Sequence, residues 1–194
     1  MTERPILFSG PMVRAILDGR KTQTRRKVKH DIPPHLTHVR RLTNTNGDEG
    51  AVLTEHPDMR AGQLAASVWC PYGKLGDRLW VRETWLRREK HERYYYRADH
   101  PEFEPYAHEG WKPSIHMPRV ASRISLEVVN VRVERLQRIT EDDARAEGVG
   151  EGPQEGWVTG PVVAFADLWV SINGQDAWLV NPWVWVVGFK VIKP

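Results

Sequence analysis

The stretch from Ile124 to Val133 constrains this 194-residue chain more than any other. Ile124, Leu126 and Val128 alternate with other residues, and then Val129, Val131 and Val133 alternate in the opposite phase. Period-two alternation marks a strand with one buried face. A one-residue slip inside a long strand points to a bulge or sharp bend, the device by which barrels turn their corners.

The rest of the chain reads as a mixed α+β pattern. Residues 5–9 form a short strand that ends at Gly10-Pro11. Residues 12–17 follow as a helix, with Pro11 in its first turn and Gly19 just past its end. Residues 23–28, 78–84 and 93–98 read as further strands. Residues 182–192 are apolar on both faces, as a strand inside a sheet should be. Thr140 opens a helix as an N-cap hydroxyl, with Glu141, Asp142 and Asp143 in the first turn. Ile139 and Ala144 stand at staple positions, and Gly148 ends that helix. Ala164, Phe165, Leu168, Trp169 and Ile172 mark another helix at 3.6 spacing. Residues 30–65 are polar and aperiodic, a long insertion or loose hairpin, and residues 101–118 are a proline-rich loop. The sum is about six strands and three short helices without a βαβ rhythm. A single domain over residues 1–194 is expected, a mixed β-barrel with peripheral helices.

Composition narrows the setting. Hydrophobic residues are 40% and charged ones 27%, as in a globular protein. No apolar run reaches the roughly 20 residues that span a bilayer, and residues 1–8 carry no leader pattern. Cys70 is the single cysteine, so no intrachain disulfide can form and a cytoplasmic setting is expected. Net charge is +3. Residues 14–41 hold nine cations against Asp18 and Asp31. Such a run is either a solvated cationic face or a polyanion-binding surface.

Three constellations could carry chemistry. Gly19-Arg20-Lys21-Thr22-Gln23-Thr24-Arg25-Arg26 follows directly on a helix. Crowded cations and burial lower a lysine's pKa, and a neutral amine can take the proton of a threonine nucleophile. In a regular strand Lys21 and Thr24 would face opposite ways, so the two converge only if Lys21 lies in the turn. A basic surface turn is the plainer reading of the spacing. Glu147 sits at the end of its helix, where the macrodipole disfavours a carboxylate. It is an ordinary exposed residue or one held there to handle protons. Trp111, Ser114 and His116 share a proline-stiffened loop that could stack on and hydrogen-bond a base, or could simply cap the barrel. His35 and His38 are too isolated for a metal site and Cys70 has no CxxC partner. The Tyr94-Tyr95-Tyr96 run alternates faces and reads as strand packing. No cofactor and no metal is expected.

These segments resemble the ASCH family, in particular its longer phage and prophage members. The resemblance runs over residues 5–192 apart from 30–65. It rests on Ser9 to Ile16 with Gly19 to Arg26, and on residues 70–85, 111–123 and 181–189. It implies a PUA-like β-barrel and a role in nucleoside or RNA chemistry, with no membrane and no double-stranded DNA specificity. Some small ASCH proteins are amidohydrolases that remove acyl groups from the exocyclic amine of cytidine. They use a lysine and threonine in Gly-x-Lys-Thr-x-Thr and a glutamate near the end of a later helix. Lys21, Thr24 and Glu147 match those catalytic positions, and Arg26 matches a basic residue after the threonine. Trp111, Ser114, His116 and Glu83 complete the expected substrate-binding set. Val120 departs from the family, standing where an aromatic is expected. The alternative implied function is an RNA-binding module or weak ribonuclease.

Overall fold

The computed structural model describes residues 1–30, 32–33, 35–58, 66–88, 93–105, 110–150, 152–154 and 157–192, with backbone alone over 152–154 and 157–159. The central layer is a five-stranded sheet of β1 (Glu3–Leu7), β6 (Arg78–Arg82), β9 (Ser125–Arg135), β12 (Trp183–Ile192) and β2 (Gln23–Lys27), in that order. β1 runs parallel to β6, from Glu3 opposite Arg78 to Leu7 opposite Arg82. β12 is antiparallel to both of its neighbours, β9 and β2.

The slip in residues 124–133 is a bulge. Along β12, Gly188 pairs with Asn130 and Phe189 with Val128, so Val129 has no opposite residue. Val128 and Val131 are both buried while Val129 and Asn130 between them are exposed. The extra residue therefore moves the apolar phase by one without turning the strand inside out.

β12 is covered on both sides, which explains its unbroken apolar run. Trp183, Trp185, Val187 and Phe189 face one core with Ile6, Phe8, Val13, Ile16 and Leu126. That core is closed by a second sheet, β3 (His38–Thr43), β4 (Glu49–Thr54) and β5 (Ala66–Trp69), through Ala51, Leu53 and Val68. Val184 and Val186 face the opposite core, against Leu136, Ile139, Ala144, Phe165 and Trp169. Two helices supply this side, α2 (Glu141–Ala146) and α3 (Pro161–Asn173), while α1 (Gly10–Leu17) packs Val13 and Ile16 into the first core.

A third, smaller cluster joins Trp85, Met117 and Ala121 to Tyr94 and Tyr96 beside the hairpin of β7 (Trp85–Arg88) and β8 (Arg93–Tyr96). The tyrosine run thus packs as a strand does. β10 (Gly152–Gln154) pairs with β11 (Trp157–Thr159).

Two expectations change. Among the described residues twelve strands stand where about six were expected; most of the additional ones are short pairings in segments with too little alternation to announce themselves. The long polar segment holds the β3–β4 hairpin, the second of its two readings. The architecture is mixed α+β, and among the described residues its sheets do not close into a barrel. No helix among them is long and apolar enough to cross a membrane.

Candidate active site

The site begins where α1 stops. Gly19 adopts φ 74°, a left-handed turn that suits glycine. The N–H groups of Arg20 and Lys21 then both donate to the Ala15 carbonyl at 2.9 Å. Lys21 is thereby held in the turn, two residues before β2 begins.

The turn is stitched to the end of α2. The Thr22 N–H donates to the Ala146 carbonyl at 2.8 Å, and Lys21 bridges to Glu147. Thr140 and Asp143 cap the start of α2 reciprocally, as a capping box. Glu147 is the C-cap residue and Gly148 follows at φ 84°. A Cβ on Gly148 would lie 2.8 Å from the Lys21 Cβ and 2.9 Å from the Ala15 Cβ. Only glycine lets the two segments approach this closely.

Their side chains meet in the interior. Lys21, Thr24, Arg25 and Glu147 are 1%, 3%, 4% and 4% exposed. The Lys21 amine donates to the Glu147 carbonyl at 2.8 Å and to its carboxylate Oε2 at 2.9 Å. Arg25 Nη1 donates to Oε1 of the same carboxylate at 3.1 Å. Arg25 also pairs with Glu134 at 2.6 Å and Asp143 at 3.1 Å, and Arg132 bridges both of those acids. Three cations and three anions thus alternate in one network. This satisfies buried charges that would be costly alone.

Glu147 is held at the unfavourable end of its helix by these two cations. Burial pulls the Lys21 amine below the ordinary lysine range, against the favourable pull of Glu147, and Arg25 and Arg26 add to the lowering. Burial also lowers Arg26, whose guanidinium donates to the Leu7 carbonyl and sits 5.3 Å from the Phe8 ring. Asp143 is held down to about 2: burial pushes it up, but the Gln23 hydrogen bond and the Arg25 and Arg132 charges outweigh that.

Thr24, Arg25, Arg26 and Glu147 border a cleft of about 450 Å³, within the range of small-molecule sites. Leu7, Met12 and Tyr72 line it beside them, and Phe165, Leu168, Trp169 and Ile172 of α3 form the facing wall. Thr24 lines this cleft on the β2 side.

Lys21 itself lies behind Glu147, outside the cleft lining; Glu83, Trp111, Ser114 and His116 also lie outside that lining. Glu83 is 1% exposed and gripped by Arg123, with Nε on Oε1 at 2.9 Å and Nη2 on Oε2 at 3.0 Å. Arg123 also holds Asp99 and stacks 4.0 Å over Tyr96. Glu83 is therefore occupied as a structural clamp, and its burial raises its pKa despite Arg123. Trp111 donates to the Phe103 carbonyl at 3.1 Å and meets that ring edge-on. Ser114 and His116 form a short 3₁₀ turn beside buried Met117, tied to β7 by the Trp85–Lys112 bridge. This loop joins the small aromatic cluster through Met117. Val120 is exposed. Burial pushes the Cys70 thiol up to about 11, which leaves it without thiolate character at neutral pH.

The wall residues Tyr72, Phe165 and Trp169 were not singled out as site residues from sequence, and Arg25 stood there only as one of a run of cations. The alternation in Gln23-Thr24-Arg25-Arg26-Lys27 does carry a signal. Two adjacent arginines in a strand point to opposite faces, so one of them must enter the interior and find acids. Comparison with protein-family models, with curated proteins and with solved structures found no match.

Proposed function

We propose that this chain is an ASCH-type protein of PUA-like architecture that removes an acyl group from the exocyclic amine of a cytidine-like nucleoside. The observation that carries the reading is the buried Lys21–Glu147 pair, whose Glu147 lines the same cleft as Thr24. The architecture is supported by a bulged, mixed sheet closed on one face by a second sheet.

A neutral lysine amine has two N–H groups and one lone pair. Both hydrogen bonds of Lys21 go to Glu147, so the lone pair is the valence left for a proton. Lowered basicity from burial makes that neutral form accessible. In the proposed reaction the Thr24 oxygen forms a bond to the acyl carbon and its proton passes to Lys21. The carbonyl electrons move to oxygen. When the intermediate collapses, the C–N bond breaks and the departing amine takes the proton from Lys21. Water then adds to the acyl-threonine, Lys21 again carries the proton, and the ester C–O bond breaks to restore Thr24 and release the acid. Glu147 orients the amine throughout and stabilises its charged form.

The test is turnover of N4-acetylcytidine by the purified protein. Thr24→Ala is expected to lower kcat/KM by at least about 10³-fold, the loss typical of a removed nucleophile. Absence of product from the wild type, or full activity in Thr24→Ala, would remove the proposal. A second reading, single-stranded RNA binding without catalysis, draws on Lys27 and Lys29 at the cleft. Its affinity would fall by about one log unit per log unit of salt for each phosphate contacted.

A further inference from the structure

Thr24, Arg25, Arg26 and Lys27 are consecutive in β2, yet all four border the cleft. Inside a sheet, neighbours along a strand point to opposite faces. Here β2 is the terminal strand of its sheet, so the cleft can wrap around its outer edge.

Charge along this edge is unevenly matched. Arg25 is met by Glu134, Asp143 and Glu147. Arg26 has no carboxylate partner among the described residues, and its Nε is buried without a hydrogen bond. Lys27 lies 6.0 Å from the Trp169 ring and, like Lys29, has no carboxylate partner among the described residues. The Trp169 indole N–H, on the facing wall, is also buried without a partner. Of these cations Arg26 is the partly buried one; holding it there with no counter-charge is costly, and an anion bound in the ground state removes that cost. An oxyanion that exists only during turnover does not.

We infer that the cleft takes a phosphorylated ligand, a nucleoside 5′-monophosphate whose phosphate sits at the Arg26–Lys27–Lys29 end. This rests on the cytidine-like reading for the other end of the ligand. A phosphate monoester carries close to two charges and three acceptor oxygens, which suits three cations better than a single carboxylate does. The spacing agrees. From Thr24 to Lys27 the strand advances about 10 Å, comparable to the reach of a nucleotide from its exocyclic amine to its phosphorus.

Calorimetric titration of the wild type with cytidine, cytidine 5′-monophosphate and inorganic phosphate tests the assignment. The monophosphate is expected to bind at least about tenfold more tightly than cytidine, as charge-assisted contacts allow. In the Lys27→Ala/Lys29→Ala protein that ratio is expected to fall close to one; both residues are exposed, so the fold tolerates the change. A ratio within twofold in the wild type overturns the phosphate assignment, even if acetylcytidine is hydrolysed. A tenfold ratio with no hydrolysis leaves the phosphate site standing and removes the amidohydrolase reading. Inorganic phosphate binding as tightly as the monophosphate, or an oligoribonucleotide binding tenfold more tightly, also overturns it.

Discussion

Replacing Glu147 by glutamine removes one charge from between two buried cations while leaving side-chain volume almost unchanged. No cavity forms, so the cost is electrostatic. Both partners have side chains that are 0% exposed, at 2.9 Å for Lys21 and 3.1 Å for Arg25. Breaking a buried ion pair costs about 3–5 kcal/mol. Arg25 keeps Glu134 and Asp143, and Lys21 keeps the Glu147 carbonyl at 2.8 Å. These remaining partners place Glu147→Gln at the lower end, about 3 kcal/mol. For a chain of this length that is a fall in Tm of about 6–12 °C. Urea unfolding followed by circular dichroism measures it.

The pH dependence has a definite sign. Lys21 has a folded pKa below its unfolded value of 10.5, so between the two the unfolded state binds more protons and stability rises with pH. Removing Glu147 lowers the folded pKa further. The deficit of Glu147→Gln should therefore shrink as pH rises towards 10. Lys21→Met in the same background should recover at least about 1.5 kcal/mol against the sum of the single changes. A Glu147→Gln protein within 0.5 kcal/mol of wild type, or single costs that simply add, would refute the idea that this carboxylate compensates buried charge.

Gly148→Ala forces a side chain onto φ 84° and against two Cβ atoms that are fixed to backbone, so a loss of about 2–4 kcal/mol is expected from the urea midpoint. Arg123→Ala strands the buried Glu83 carboxylate and should cost about 3–5 kcal/mol at neutral pH. That deficit should narrow in acid, because an unpaired Glu83 takes up a proton more readily, and thermal melts from pH 7 to pH 5 would show it. Asp143, held near 2 in the folded state against 3.8 unfolded, contributes stability present above pH 4 and lost as pH falls towards 2. After solvent screening this is about 1–2 kcal/mol. Acid titration of Asp143→Asn should lack that part of the slope.

Local features of the chain were readable because they are enforced over a few residues. The phase change at Val128–Val129 is a bulge, Thr140 does cap α2, and Gly19 does turn the chain after α1. Each reflects a backbone or burial preference that acts within one element. Lys21 and Glu147 were visible as oddities, an amine among cations and a carboxylate at the wrong end of a helix. Glu83, Trp111, Ser114 and His116 show the limit of the same approach. Their residue types suit ligand binding, but Arg123 and Phe103 already engage Glu83 and Trp111.

The sequence by itself determined the alternating strands, the capped start of α2, the glycine turns and the suspicion attached to Lys21, Thr24 and Glu147. Only the tertiary structure decided which partners those groups have. Arg25 finds Glu134 at a separation of 109 residues and Lys21 finds Glu147 at 126, distances over which no periodicity can speak. The parallel pairing of β1 with β6, the covering of both faces of β12 and the α3 wall of the cleft are likewise products of packing. Propensity acts between neighbours in the chain, whereas charge compensation in a buried site acts between neighbours in space.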